Sequence, residues 1–161
     1  MKLRLLLAVA GLAIAFALPT FAQQTDTPDP KLREQLLSLA KKFDDVYNNG
    51  DAAGMVALYT EDAVEVADTG PSYGREALWK HYVDLFQKVH FSNHLNTVDQ
   101  YSPRVIGTAG NEIWATGKWS ATIQGKDWGP IPATGYWSVI REGDDWKIRM
   151  LAFNVTPAPA K

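Results

Sequence analysis

Apolar side chains recur every three to four residues between residues 30 and 48, the spacing of a helix with one buried face. The repeat consists of Leu32, Leu36, Leu37, Leu39, Ala40, Phe43, Val46 and Tyr47. Asp29-Pro30 supplies an N-cap followed by a first-turn proline. Asn49-Gly50 tolerates the left-handed backbone that commonly ends a helix. The pattern therefore predicts a helix over residues 30–48.

Two more helices are predicted before residue 90. Asp51 is a good N-cap for a short helix over residues 51–59, which Thr60-Glu61-Asp62 then breaks. Residues 63–67 are predicted to form a short strand, and residues 68–73 a turn. The third helix is predicted over residues 74–89, because its apolar residues share one face: Leu78, Tyr82, Leu85, Phe86 and Val89.

The rest of the chain has the alternation and turn residues of β-strands. Strands are predicted over residues 90–106, 112–124, 133–142 and 146–156, separated by segments rich in Gly, Pro, Asn and Asp. Helices followed by long strands are typical of an α+β domain. We therefore expect a domain over residues 31–156, with three N-terminal helices packed on a strongly curved antiparallel sheet.

The first 22 residues have the composition of a secretory signal peptide. Lys2 and Arg4 precede an almost unbroken apolar run, and Pro19-Thr20-Phe21-Ala22 offers a small-residue cleavage site. An uncleaved membrane anchor is the alternative, but the run is short for a permanent span. We expect export to a bacterial periplasm or the medium, with no membrane attachment after cleavage. Residues 23–30 are expected to be a disordered lead and residues 157–161 a tail.

Composition and charge narrow the function classes. The formal net charge is −2 and no basic aromatic groove is visible, so no nucleic-acid partner is expected. The chain has no Cys, and neither a phosphate-binding loop nor a serine elbow occurs, so enzyme classes that use them fit less well. No cofactor is expected. Five of the six Trp residues lie between Trp114 and Trp146. This density of aromatic area on one sheet favours a homodimer through its outer face.

One stretch resembles a known group of proteins. Residues 43–66, FDDVYNNGDAAGMVALYTEDAVEV, followed by Gly74-Arg75-Glu76-Ala77-Leu78-Trp79, are similar to the start of the nuclear transport factor 2-like superfamily. That superfamily includes ketosteroid isomerases and SnoaL-like proteins. The resemblance implies a cone-shaped α+β domain with a pocket inside the cone, and dimers are common in the superfamily.

The comparison with ketosteroid isomerases implies that their catalytic set is missing. Where that family has a Tyr donor in the first helix, this chain has Phe43. Ala67 matches the position of the carboxylate base, and Trp137 or a close neighbour matches that of the protonated Asp donor. A one-residue shift of the comparison would restore Asp68 as the base.

Asp68 and His94 are the candidate catalytic residues. Asp68 follows the first predicted strand, where SnoaL-like cyclases also place an acid, and the alternative is that Asp68 only caps the turn Asp68-Thr69-Gly70-Pro71. His94 and Asn96 project from the same side of their strand and are candidates for the cavity wall, the alternative being a polar pair at a sheet edge. His90 and His94 would lie roughly 13 Å apart on a strand, so no metal site is expected.

Aromatic residues are expected to line a large apolar cavity, with a few polar groups orienting a ligand. The aromatic candidates are Tyr73, Trp79, Tyr82, Phe86, Trp114, Trp119, Trp137 and Phe153. The polar candidates are Asp68, His94, Asn96 and Asn154. The alternative is that most of the aromatic residues fill the core or the dimer interface.

Three hypotheses of function follow. The first is an exported SnoaL-like domain that binds a small, largely apolar molecule, with no catalysis evident. The second is an enzyme of the isomerase, cyclase or dehydratase kind, which uses Asp68 with His94 or a Tyr. The third is a dimerisation or protein-interaction module without catalytic activity.

The leader generates a direct prediction. When the full chain is expressed in a Gram-negative host, the protein recovered from the periplasm should begin at Gln23 by N-terminal sequencing. Recovery of intact chain beginning at Met1 in the membrane fraction would contradict cleavage and support the anchor.

Overall fold

The computed structural model describes residues 29–67, 69–100, 102–106, 111–142 and 144–153, with side chains described outside 104–106 and 126–141. The elements in chain order are α1 (Pro30–Asn48), α2 (Ala52–Ala57), β1 (Tyr59–Ala67), β2 (Gly70–Tyr73), α3 (Gly74–Lys88), β3 (Phe91–Val98), β4 (Arg104–Ile106), β5 (Glu112–Ile123), β6 (Lys126–Glu142) and β7 (Asp145–Ala152). The predicted signal peptide, residues 23–28 of the predicted lead, and the tail lie outside the described residues, as do Asp68 and Asn154. Pro30, the last residue of the predicted lead, is already the first residue of α1.

The seven strands form one sheet in the order β2-β1-β7-β6-β5-β3, with β4 also paired to β5. All neighbouring strands are antiparallel except β1 and β7, which run parallel. The α+β class is therefore confirmed, whereas the expected purely antiparallel sheet is corrected by one pair. A parallel pair needs a long crossover connection, and the whole chain between β1 and β7 supplies it.

Helices α1 and α3 cover one face of the sheet. Their apolar faces meet the inward side chains of β1, β5 and β7 in one core, which contains Leu36, Leu39, Phe43, Met55, Tyr59, Leu78, Tyr82, Ile113, Ile148 and Leu151. Both predicted caps are present, since Asp29 accepts a hydrogen bond from the Lys31 N–H and Asp51 from the Gly54 N–H. In the described ranges no helix is long and apolar enough to cross a membrane.

The predicted break at residues 60–62 is wrong, because β1 already begins at Tyr59. The pairing of β1 with β7 shifts between Tyr59 and Val64, so the strand carries an irregularity that accommodates its polar start. Residues 70–73 form β2 rather than a turn, because they pair with β1 from Gly70 to Tyr73.

Two strand predictions also change. The predicted strand over residues 90–106 is divided into β3 and β4, and Arg33 holds the intervening bend by donating to the carbonyl oxygens of Val98, Asp99 and Ser102. The predicted loop over residues 125–132 belongs almost entirely to β6. Gln124 and Gly125 both have positive φ angles, as in a tight two-residue hairpin turn, so β6 pairs with β5 from Lys126 onward.

At Gly117, β5 passes very close to the backbone of β3. A Cβ atom at this position would clash with the carbonyl oxygen of Thr97. The side chain of any other residue would therefore have to separate the two strands beside the site described below.

We predict that Gly117→Ala lowers the free energy of unfolding by about 1–3 kcal/mol, the usual cost of overpacking. Urea unfolding of the variant and the wild type measures this difference. Ser120→Ala, a substitution in the same strand, is the control and should change it by less than about 0.5 kcal/mol. Equal effects of the two substitutions would contradict the close approach of the strands.

Candidate functional site

A cavity of about 60 Å³ lies between α1 and the sheet. Its described wall consists of Leu36, Phe43, Tyr47, Tyr82, His94, Asn96, Thr97, Val98, Ala115, Thr116, Gly117, Lys118, Trp119, Leu151, Ala152 and Phe153. Drug-sized ligands occupy pockets of about 300–1,000 Å³. The cavity in this conformation therefore fits a ligand of only a few non-hydrogen atoms, and a larger one must displace side chains.

Asp44 is a buried carboxylate on the face of α1 that packs against β3. It accepts hydrogen bonds from the backbone N–H of Asn96 at 3.0 Å, from the side-chain amide of Asn96 at 2.7 Å, and from the Nδ1 atom of His94 at 2.8 Å. Its partners thus all come from the edge strand of the sheet. The carboxylate links helix and strand at the cavity wall.

The partners of Asp44 decide which nitrogen of His94 carries the proton. Asp44 already acts as the acceptor for both groups of Asn96, so His94 Nδ1 is assigned as the donor to it. In the neutral imidazole, Nε2 then keeps its lone pair. Among the described residues Nε2 has no hydrogen-bond partner, yet every buried side-chain nitrogen and oxygen there has one. Nε2 is therefore not buried, and since His94 lines the cavity, we take Nε2 to be open to it.

Aromatic rings surround the imidazole of His94. The rings of Tyr47 and Trp119 stack on it, with centroid distances of 4.3 Å and 5.7 Å and interplanar angles of 27° and 15°. Phe43 lies 5.7 Å away in a tilted arrangement. These contacts fix the plane of the imidazole, and electron-rich ring faces also favour a cationic neighbour.

Tyr47 is a second polar residue of the cavity wall. No hydrogen bond to its hydroxyl occurs in the described part of the chain, and the residue lines the cavity. Burial raises the pKa of Tyr47 well above its usual range, and the nearby charge of Glu65 raises it further. The hydroxyl therefore stays protonated at neutral pH and can donate a hydrogen bond to a bound molecule.

A second buried carboxylate lies beneath α3. Glu65 on β1 is 2% exposed, and its Oε2 atom accepts hydrogen bonds from the hydroxyls of Tyr59 at 2.5 Å and Tyr82 at 2.6 Å. Its other oxygen lies 3.7 Å from Nε2 of His81, which is partly exposed. Tyr82 also lines the cavity, so this cluster forms the layer behind the cavity wall.

Two opposing effects act on Glu65. Burial raises its pKa above the ordinary value of 4.5, while the hydrogen bonds from Tyr59 and Tyr82 and the charge of His81 lower it. Burial is the largest of these effects, so the pKa is raised overall. The carboxyl therefore takes up a proton more readily in the folded protein than in the unfolded chain.

Several residues predicted for the site lie at the cavity. His94, Asn96, Tyr82, Trp119 and Phe153 are part of its wall, and Phe86 packs behind it with its ring 5.2 Å from that of Tyr47. His94 and Asn96 do lie on the same side of β3, and they are joined through Asp44.

Other predicted residues lie elsewhere. Tyr73 and Trp79 are 67% and 47% exposed and do not line the cavity, because Tyr73 precedes α3 and Trp79 follows the buried Leu78 on the helix. Trp114 is half-buried outside the described cavity wall, since the strand alternation turns Ala115 inward instead. The backbone of Trp137 pairs with Ala115 and Leu151, but its side chain lies outside the described residues, as do Asp68 and Asn154.

Three residues of this region are not among those that the sequence predicts for the site: Asp44, Tyr47 and Glu65. Asp44 comes four residues after Ala40 and three before Tyr47, within the apolar stripe of the helix. Glu65 follows the buried Ala63 by two residues, on the same strand face. An acidic residue in a buried periodic position was the available signal in both cases.

No metal site is evident in this part of the molecule. His90 is exposed and precedes β3, so it does not join His94. Across the described residues, no group of three or more His, Cys, Asp or Glu side chains is placed to hold a metal ion.

The sequence model of the SnoaL-like domain family matches residues 40–149. The protein belongs to the SnoaL-like domain family. No curated protein matches the chain.

Solved structures share the fold at low sequence identity. One is a protein of unknown function with a cystatin-like fold from Nostoc punctiforme PCC 73102, with a TM-score of 0.64, 13% identity, and coverage of 82% of this chain and 96% of that one. A proposed scytalone dehydratase from Novosphingobium aromaticivorans DSM 12444 has a TM-score of 0.63, 14% identity, and coverage of 81% and 90%. A ketosteroid isomerase-like protein from Erwinia carotovora atroseptica SCRI1043 has a TM-score of 0.58, 12% identity, and coverage of 80% and 100%.

The raised pKa of Glu65 predicts a pH-dependent stability with a defined sign. Because the folded state binds this proton more readily, Glu65 costs stability as the pH rises from about 4.5 through its raised folded pKa, and the full cost remains above it. Glu65→Gln removes this titration and keeps an acceptor for the tyrosine hydroxyls. The free energy of unfolding of the variant minus that of the wild type should therefore become more positive between pH 4.5 and pH 7, as measured by urea unfolding.

Glu76→Gln is the control for this experiment. Glu76 is exposed, and a hydrogen bond from Lys80 lowers its pKa, so its small effect has the opposite sign and falls mainly below pH 4.5. Between pH 4.5 and pH 7 the stability difference for Glu76→Gln should therefore stay nearly constant. A stability difference for Glu65→Gln that stays constant or falls with pH would show that burial does not dominate at Glu65.

Proposed function

We propose that this protein is an enzyme that moves protons on a small molecule bound in the cavity, with His94 as general base and acid and Asp44 as its orienting partner. One observation carries the proposal: Nε2 of His94 is open to the cavity while Nδ1 is held by Asp44 at 2.8 Å. A base held in place by a third group is an arrangement typical of sites that transfer protons.

In the proposed reaction His94 acts first in its neutral form and then in its protonated form. The neutral imidazole has its lone pair on Nε2, ready to accept a proton from a bound molecule. The imidazolium that then forms is stabilised by the carboxylate of Asp44 and by the ring faces of Tyr47 and Trp119. The site therefore supports the pick-up and the later return of one proton.

Tyr47 supplies the electrophilic side of the proposed chemistry. Tyr47 lines the same cavity, its hydroxyl is protonated, and its ring stacks on that of His94. It can donate a hydrogen bond to a carbonyl oxygen of the substrate, where negative charge develops as an adjacent carbon loses its proton. The fitting substrate class is a small carbonyl compound with an acidic C–H bond next to the carbonyl.

Two outcomes complete such a reaction. In an isomerisation, the proton on Nε2 returns to another carbon of the same molecule. In a dehydration, the C–O bond to a neighbouring hydroxyl breaks, and the proton on Nε2 leaves with that oxygen as water. The scytalone dehydratase and ketosteroid isomerase-like names of two similar structures suit these classes, although their likeness to this chain is one of fold.

In this proposal the carboxylate that works with His94 is Asp44 rather than Asp68, and it orients the base instead of acting as one. Asp68 lies outside the described residues, and its part in the chemistry stays a prediction. The contacts of Asp44, in contrast, are defined by three donors.

Binding without catalysis is the second candidate. The cavity wall is largely aromatic and aliphatic, with Phe43, Tyr82, Trp119 and Phe153 among its residues, which suits a small apolar ligand.

Export and a homodimer through the Trp-rich sheet also remain proposals. Mass measurement of the native protein from the periplasm would test both.

The catalytic proposal predicts loss of turnover without loss of fold. Small ketones and β-hydroxyketones should be incubated with the protein in D₂O, and NMR should follow exchange of the C–H next to the carbonyl and loss of water. We expect His94→Gln and Asp44→Asn to reduce the rate by about 10²–10⁴-fold, the usual contribution of a general base.

His90→Gln is the matched control, because His90 is exposed and lies outside the cavity wall. It should retain the wild-type rate. Binding of the same compounds by wild type and by His94→Gln with equal affinity, without exchange or elimination in either, would support the binding protein instead. In that case Trp119→Ala should abolish binding.

A further inference from the structure

Strand β3 contains a bulge immediately before His94. Its pairing with β5 shifts between Ser92 and Leu95, and Asn93 has a φ of 54°, in the left-handed region. Phe91 and His94 are both buried although they are three residues apart. A regular strand would place residues two apart on the same face, so the bulge adds one residue to this strand.

The bulge determines the direction of the imidazole. Without the extra residue, Asn93 and Leu95 would share the inward face with Phe91, and His94 would point to the outer face of the sheet. With it, Leu95 is 54% exposed and His94 lines the cavity. The open Nε2 atom in the cavity therefore depends on one backbone irregularity.

Asn48 binds both backbone groups of the residue that the bulge redirects. Its side-chain oxygen accepts a hydrogen bond from the N–H of His94 at 2.6 Å, and its side-chain amide donates to the carbonyl oxygen of His94 at 3.0 Å. These groups lie on the edge of β3 opposite β5. Asn48 thus does for His94 what a neighbouring strand would do.

The two polar residues of α1 divide the work at this edge. Asn48 follows Asp44 by four residues, so both side chains leave the same face of the helix. Asp44 accepts hydrogen bonds from the imidazole of His94 and from the N–H of Asn96. Asn48 binds the backbone N–H and carbonyl oxygen of His94. Without Asn48 the His94 peptide groups at the bulge would lose both of these partners.

We infer that Asn48 is a positioning residue, which fixes the bulge of β3 and thereby turns His94 into the cavity. The inference rests on the proposed function for its catalytic consequence, but its structural content does not. The bulge is local, and the side chain of Asn93 supports it with a hydrogen bond to Thr122 at 3.2 Å. Asn48 supplies the contacts to His94 itself.

The test is proton NMR of the uniformly ¹⁵N-labelled mature protein, which detects the Nδ1–H of His94 bound to Asp44 and the exchange of the His94 amide. In Asn48→Ala we expect the Nδ1–H resonance to broaden or vanish and the His94 amide to exchange at least 10-fold faster. Core amides such as that of Ile148 should exchange at nearly the wild-type rate. Turnover should fall in kcat by about 10-fold or more with little change in KM.

Three further variants make the result specific. Asn49→Ala changes the neighbouring exposed residue of the same type and should behave as the wild type. Asn93→Gly should keep the Nδ1–H resonance, because Gly adopts a positive φ without strain. Asn48→Asp keeps an acceptor for the His94 N–H but loses the donor to its carbonyl, and it should give an intermediate exchange rate. This variant provides the reading if Asn48→Ala does not fold.

The outcomes separate this inference from the proposed function. An Asn48→Ala protein that keeps the Nδ1–H resonance and the protection of the His94 amide would overturn the positioning role, even if turnover falls. Loss of both signals in a protein whose wild type turns over none of the compounds would support the positioning role and count against the proposed reaction. Loss of both signals together with kcat supports both.

Discussion

The site depends on how the backbone groups along the outer edge of β3 are hydrogen-bonded. A strand at the end of a sheet has backbone N–H and C=O groups without a neighbouring strand, and these groups need other partners when they are buried. Here α1 supplies them through Asp44 and Asn48, two side chains one helical turn apart. The hydrogen bonds that join α1 to the edge of β3 therefore also orient His94. The stability of the fold and the geometry of the site depend on the same contacts.

Two buried carboxylates, Asp44 and Glu65, have different partners and different roles. Asp44 meets donors from the edge strand and a histidine that opens to the cavity. Glu65 meets two tyrosine hydroxyls, is shielded from the cavity by Tyr82, and has a raised pKa because burial outweighs its hydrogen bonds. In the proposed reaction the first carboxylate orients the general base, whereas the second ties β1 to α3.

The sequence predicted the helices well because their caps and apolar spacing are local signals. It failed at Thr60-Glu61-Asp62 and over residues 125–132, where polar residues, Gly and Pro suggested breaks but tertiary pairing formed strands. His94 and Asn96 were recognised as neighbours on one strand face, but Asp44 was not connected to them. That contact joins residues about 50 positions apart through an edge strand and a bulge, and neither is visible in local periodicity. Tyr73 and Trp79 were expected in the cavity wall because they are aromatic, but both are exposed. The residue type alone does not determine burial.

The most direct test of this account is the tautomer of His94 in the wild-type protein, measured by long-range ¹H–¹⁵N NMR of the imidazole at a pH where it is neutral. The account predicts that the proton is on Nδ1, in a hydrogen bond that disappears in Asp44→Asn or weakens measurably, and that Nε2 has the chemical shift of an unprotonated nitrogen. A neutral imidazole with its proton on Nε2 would contradict the account, because Asp44 would then not hold the ring and the cavity would contain a donor instead of a base.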